Sequence, residues 1–151
     1  MLQVDVPTPL LVSIVDDDSS VCEGLSDLLR SMGFAAETFQ SADDFLKSGQ
    51  IDSASVLISD MQMPGMTGLE LHEHLAKSGK NIPTILITAF PKDGDRSIAL
   101  QTGVSCYLEK PFSEEVLLTS IRSALGAGDA SEIHGGQKCR RSALPTERRP
   151  L

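Results

Sequence analysis

The sequence predicts an α/β fold in which strands and helices alternate around a single parallel sheet. Five short apolar runs carry this prediction: Leu10–Val15, Ala35–Phe39, Ser55–Ser59, Thr84–Thr88 and Cys106–Glu109. The segments between them have helical spacing, so each strand is followed by a helix and neighbouring strands run parallel through right-handed crossovers. The runs LLVSIV, SVLIS and TILIT are nearly continuous in apolar or small residues, as strands covered on both faces must be.

Each helix has its own signals. After the first run, Val21, Leu25, Leu28, Leu29 and Met32 recur at intervals of three and four, with Ser19 or Ser20 as the expected N-cap and Gly33 as the stop. Ser41 is placed to cap a second, short helix through Asp44, Phe45 and Leu46. A third is expected from about Thr67 to Lys77 on Leu69, Leu71 and Leu75. The fourth, from about Asp93 to Gln101, is weak and carries only Ile98, Ala99 and Leu100. The fifth opens at Ser113, with Glu114 and Glu115 at the positive end of its dipole, and continues through Val116, Leu117, Leu118, Ile121 and Leu125.

The chain of 151 residues fits one domain and a tail, and a fold of that size buries roughly two-thirds of its unfolded surface. No apolar run reaches the ~20 residues that span a bilayer. The opening MLQVDVPTPL lacks the basic and apolar regions of a secretory signal. Cys22, Cys106 and Cys139 have no metal-like spacing, so free thiols and a reducing, cytoplasmic compartment are expected. Residues 1–125 hold 8 Lys and Arg against 18 Asp and Glu, whereas residues 126–151 hold 5 against 3. An acidic body with a short basic tail argues against nucleic-acid binding by the body and suits a cation held by carboxylates. From Gly126 onward the sequence has no sustained apolar period and reads as a flexible linker or tail.

The chemistry lies in what ends the strands. The first ends in Asp16-Asp17-Asp18, the third in Asp60, the fourth in Thr88 and the fifth in Glu109-Lys110-Pro111. In an open parallel sheet the carboxyl ends share one edge, where ligands bind. Clustered carboxylates stay ionised together only around a cation, and Mg²⁺ favours such oxygen ligands. Lys110 would add a positive charge and Thr88 a hydroxyl donor, leaving Asp60 as a carboxylate nucleophile for phosphoryl transfer.

Four pieces, IVDDD (14–18), SDMQMPGMTGLEL (59–71), ILITA (85–89) and YLEKPF (107–112), stand in register. Over about residues 10–125 the chain resembles the CheY-like receiver domain of two-component response regulators, and the stretch DMQMPGMTG with KPF is most similar to the FixJ-type branch. The resemblance implies a doubly wound (βα)5 sheet of flavodoxin-like order 2-1-3-4-5, preceded by an extension over residues 1–9 and followed by the basic tail 126–151. It implies phosphoryl acceptance on Asp60 from a sensor histidine kinase or a small phosphodonor. Mg²⁺, or Mn²⁺ in its place, would be held by Asp16, Asp17, Asp60 and the Gln62 carbonyl. Thr88 and Tyr107 would be switch residues, Lys110 the phosphoryl-pairing lysine in a cis Lys110–Pro111 peptide, and Asp18 an acidic neighbour of the site. A downstream protein or a dimer partner would dock on the face of helix 4, strand 5 and helix 5.

Other functions fit less well. An aspartate-nucleophile phosphatase needs a second acid two residues after the nucleophile, where this chain has Gln62. A dinucleotide-binding fold needs a glycine-rich turn after the first strand, which IVDDDSS lacks. A receiver that binds without phosphorylation would not need the set Asp17, Asp60, Thr88 and Lys110. The chain is therefore expected to be a switch rather than an enzyme, catalysing only its own phosphorylation and dephosphorylation. Phe90 is expected to restrict water and prolong the phosphorylated state. About 25 residues follow the fifth helix, so a stand-alone or truncated regulator without a complete output domain is expected. His72 and His74, two apart on a helix, face different directions and are expected to meet solvent. Met61, Met63 and Met66 are expected to pack beside the site.

Overall fold

The computed structural model describes residues 10–126 and the backbone of residues 138–139. Strands β1 (Leu11–Val15), β2 (Ala35–Phe39), β3 (Val56–Asp60), β4 (Thr84–Thr88) and β5 (Cys106–Glu109) lie parallel in the order β2-β1-β3-β4-β5. The order reverses between β1 and β3, and this opens a crevice beyond their carboxyl ends. A two-residue strand, β6 (Lys138–Cys139), extends the expected five-stranded sheet antiparallel to β5, with Cys106 opposite Cys139 in the register. Of the thiols expected to be free, Cys22 is, whereas Cys106 is disulfide-bonded. The extension at residues 1–9 and most of the basic tail lie outside the described residues.

The helices are α1 (Ser19–Ser31), α2 (Ala42–Lys47), α3 (Gly68–Lys77), α4 (Asp95–Thr102) and α5 (Glu114–Leu125), with an unforeseen 3₁₀ turn at Ile51–Ser53. The cap of α1 is Asp18 rather than Ser19 or Ser20. Its carboxylate accepts the Ser20 N–H at 2.9 Å and the Val21 N–H at 3.4 Å. Asp18 has the extended backbone a cap requires, and a carboxylate there also meets the positive end of the dipole. Asp18 is thus engaged by the helix rather than by the acidic cluster. Ser41 and Ser113 cap α2 and α5 as their positions suggested. Thr67 and Glu70 close a reciprocal capping box on α3. α4 starts two residues later than expected, because Gly94 takes a left-handed φ of 86° before it, and Gly103 at 109° ends it.

Alternation along the strands divides the core. Val12, Ile14, Val56, Ile58, Ile85, Ile87 and Leu108 face α1 and α5, where Leu25, Leu29, Leu117 and Ile121 meet them. On the other face, Val15 and Leu57 pack with Phe45, Leu71, Leu75 and the buried Met63, and Leu86 and Tyr107 pack with Ala99 and Val104. Met66 and Met61 pack against these two clusters, as their placement near the site suggested. His72 departs from expectation. It follows Leu71 around the helix onto the flank of α3, half-buried, with Nδ1 3.0 Å from the buried Thr84 hydroxyl, while His74 is exposed.

Candidate functional site

Asp16 directly follows β1, Asp60 ends β3, Thr88 ends β4 and Lys110 directly follows β5, so the sheet itself brings them to one edge. Backbone bonds fix the strand ends: Met61 donates to Ile87 at 2.7 Å, and Lys110 to Thr88 at 2.8 Å. Lys110 precedes a cis peptide to Pro111. Its Nζ lies 3.6 Å from Asp16 Oδ2 and 3.7 Å from Asp60 Oδ1, a bridge between the two buried carboxylates.

The acidic side of the site carries more charge than one ammonium neutralises. Carboxylate oxygens of Asp16, Asp17 and Asp60 all lie within 4.8 Å of one another. At that separation two charges repel by roughly 3 kcal/mol at an effective dielectric near 20. Burial raises the Asp16 carboxyl above its ordinary range, against the pull of the Asp18 N–H and Lys110. Burial, and then repulsion from Asp16, pushes Asp60 up to about 6. Asp16 Oδ2 is buried without a hydrogen bond, in position to accept a ligand. Exposed Asp17 opens the cluster toward solvent. The donors are hard oxygens, and they fit a divalent cation such as Mg²⁺.

A stability effect follows from this frustration. Asp60 binds a proton more tightly folded than unfolded, so metal-free stability falls as pH rises from about 4 to about 6. Above that window the ionised side chain is fully destabilising. Asp60→Asn without metal at pH 7.5 is therefore expected to gain ~1–2 kcal/mol in urea unfolding. At pH 4, where the wild-type carboxyl is largely protonated, the gain should shrink.

Thr88 is fully buried and does not face the carboxylates alone. Its hydroxyl donates to Gln62 Oε1 at 2.6 Å and accepts the Phe90 N–H at 3.0 Å, while Gln62 Nε2 donates to the Phe90 carbonyl at 3.3 Å. Phe90 itself is 72% exposed. Tyr107 is 1% exposed and lies inside, on the same face of the sheet as Thr88. Its hydroxyl makes no well-formed hydrogen bond. Burial, with the Asp95 and Glu109 carboxylates adding to it, pushes that hydroxyl up to about 12.

Two contributions were not visible in the sequence. The Arg96 guanidinium lies 5.6 Å over the Tyr107 ring and pairs with Glu109 Oε2 at 2.6 Å. Glu109, a strand-end acid, is thereby drawn to α4 and not into the acidic cluster. The hydrogen bonds of the Gln62 side chain to Thr88 and Phe90 were the other. An Arg on the first turn of α4 and a Glu ending β5 signal a pairing only once the crossover is known.

A family profile described as the response regulator receiver domain matches residues 12–122. The chain is 39% identical over 115 residues to the response regulator protein TodT of Pseudomonas putida, covering 76% of this chain and 51% of that one. It is 36% identical over 117 residues to the transcriptional regulatory protein FixJ of Rhizobium meliloti, covering 78% of this chain and 57% of that one. It thus spans about half the length of the curated relatives it matches. The crystal structure of FixJ-N superimposes with a TM-score of 0.71 at 34% identity, covering 79% of this chain and 95% of that one. A beryllofluoride-activated DrrB receiver domain superimposes with a TM-score of 0.69 at 25% identity, covering 78% and 98%.

Proposed function

The chain belongs to the response regulator receiver family of two-component signalling, and on that premise we propose that it is a switch that takes a phosphoryl group on Asp60. The observation that carries this reading is the frustrated carboxylate cluster with Lys110 between Asp16 and Asp60. Asp16, Asp17, Asp60 and the Gln62 carbonyl would hold Mg²⁺, with Mn²⁺ as a substitute. When bound, the metal would supply positive charge against the developing phosphoryl oxygens. Lys110 supplies a second positive charge from the protein side, and the Thr88 hydroxyl a hydrogen-bond donor.

In the step itself an Asp60 carboxylate oxygen attacks phosphorus in a phosphohistidine or a small acyl phosphate. A phosphorus–oxygen bond forms to Asp60, the bond to the donor breaks, and the leaving imidazole or carboxylate keeps the electron pair. The chain thereby catalyses its own phosphorylation and hydrolysis. The donor is a sensor histidine kinase or a small phosphodonor. The receiver is assigned to residues 10–125, and the basic segment 126–151 to a tail or linker. Among the described residues no helix is long and apolar enough to cross a membrane.

The output face is proposed to be α4, β5 and α5, where a downstream protein or a second receiver would dock. At its α4–β5 side lies a cleft of about 470 Å³ lined by Lys92, Arg96, Tyr107 and Glu109 among others. Arg96 couples that cleft to Tyr107, so movement of the ring or of α4 changes the charges a partner meets.

The function is tested by incubating the protein with Mg²⁺ and acetyl phosphate and reading its intact mass. One added phosphoryl group supports the proposal, and none, with Mg²⁺ bound and a kinase also ineffective, overturns it. Separately, Asp17→Asn is expected to weaken Mg²⁺ binding about tenfold or more, read by calorimetry, because it removes an accessible carboxylate ligand while leaving the buried pair.

A further inference from the structure

We propose that the Gln62 side chain is a latch that holds the Thr88 hydroxyl away from Asp60 until phosphorylation displaces it. The inference rests on the phosphoacceptor reading above and adds a positioning residue to it. Its basis is the closed ring of three hydrogen bonds joining Gln62, Thr88 and Phe90.

The ring leaves little freedom in its assignment. The Phe90 carbonyl can only accept, so the amide nitrogen of Gln62 must face it at 3.3 Å and the amide oxygen must face Thr88. The Thr88 oxygen already accepts the Phe90 N–H at 3.0 Å, which aims its own proton at Gln62 Oε1, 2.6 Å away. Each partner is used in a chemically consistent direction.

Stoichiometry makes this arrangement a competition. A threonine hydroxyl has one proton. While it is given to Gln62 it cannot be given to an oxygen carried on Asp60. A phosphoryl group on Asp60 supplies anionic acceptors, and a hydrogen bond to a charged oxygen is roughly twice as strong as one to a neutral amide. The phosphoryl group therefore wins the proton, and the ring opens. Opening it removes one of the two ring contacts that tie Gln62 to the β4–α4 loop. That loop leads through Phe90 into α4, which buries only Ala99. Gln62 stands two residues after Asp60, so the segment that carries the phosphoryl group also carries the restraint.

A merely structural bond and a latch differ in sign. If Gln62 only satisfies a buried hydroxyl, removing it leaves the phosphorylated form no better bound, or worse. If it is a latch, removing it favours the phosphorylated geometry. The test uses the full chain with Mg²⁺ and beryllofluoride as a phosphoryl mimic, titrated by calorimetry. Gln62→Met keeps the length of the side chain and the backbone carbonyl but cannot accept the Thr88 proton. It is expected to bind beryllofluoride roughly two- to tenfold more tightly than wild type, the factor a net neutral hydrogen bond is worth. In metal-free protein the Phe90 amide should exchange its proton faster by a similar factor. In a Thr88→Val background, where no hydroxyl remains to be held, Gln62→Met should change beryllofluoride affinity less than about twofold.

Unchanged or weaker binding by Gln62→Met, or an equal gain in the Thr88→Val background, overturns the latch alone. Failure of wild type to bind beryllofluoride with Mg²⁺ present overturns the phosphoacceptor reading, and the latch with it.

Discussion

Asp60→Asn protein, given Mg²⁺ and acetyl phosphate, is expected to keep its unmodified mass while wild type gains one phosphoryl group. The substitution is nearly isosteric, so the fold should survive and, without metal at neutral pH, should even be more stable. What is lost is the proposed nucleophile. A carboxamide oxygen has no negative charge to give to phosphorus, and the change also removes one of three carboxylates that crowd within 4.8 Å. Acceptance should fall by about a thousandfold or more, ~4 kcal/mol in the barrier, which puts it below detection by intact mass. Phosphorylation of the variant at wild-type rate would place the acceptor elsewhere. A variant more stable yet inert would separate the chemical role of Asp60 from a structural one.

Gly68→Ala is expected to be the most damaging glycine-to-alanine change among the described residues. Gly68 is the first residue of α3, packed where the backbone of β3 ends. A Cβ there would collide with the Asp60 carbonyl oxygen and approach Leu86 Cδ2 and Ser59 Oγ at 2.9 Å. The carbonyl belongs to the proposed phosphoacceptor and, being backbone, cannot rotate away as a side chain would. Either α3 retreats from the sheet or the Asp60 backbone shifts. Overpacking against an unyielding backbone should cost about 3 kcal/mol or more, measured by urea unfolding. The same variant, if folded at lower temperature, should accept phosphate more slowly if Asp60 is the reacting residue, as proposed. Wild-type stability in Gly68→Ala would show that the α3–β3 contact is looser than the structure has it.

Much of this architecture can be read from the sequence because parallel strands covered on both faces must be apolar throughout. That requirement makes Val56–Asp60 and Thr84–Thr88 stand out with little help from context. The alternation of strand and helix then fixes which strand ends meet, and so Asp16, Asp60, Thr88 and Lys110 could be grouped before any coordinates. What escaped depends on tertiary neighbours. Asp18, Ser19 and Ser20 all suit a helix cap, and the choice among them turns on which backbone is extended at the end of β1. His72 looked solvated because Thr84, its partner, is twelve residues away on another element. The Gln62, Thr88 and Phe90 ring joins two loops that touch only when β3 and β4 are side by side. The pairing of residues 106–107 with 138–139 falls in a segment with no strand-like run, where no periodic signal exists to be read.

Helix α4 fully buries one residue, Ala99, lays Arg96 over the Tyr107 ring, and is bounded by two glycines. Its exposed side chains, Ser97 and Ile98 among them, touch little, and exchanging one of these should alter stability by only about 0.5 kcal/mol. Ile98 and Ser97 can therefore be rewritten without disturbing the acidic pocket. A cell that runs several phosphotransfer circuits side by side needs each to ignore the others' messages. If α4 forms part of the output face proposed above, its exposed positions offer a place to write such an address, because they can be revised while the acidic pocket stays fixed.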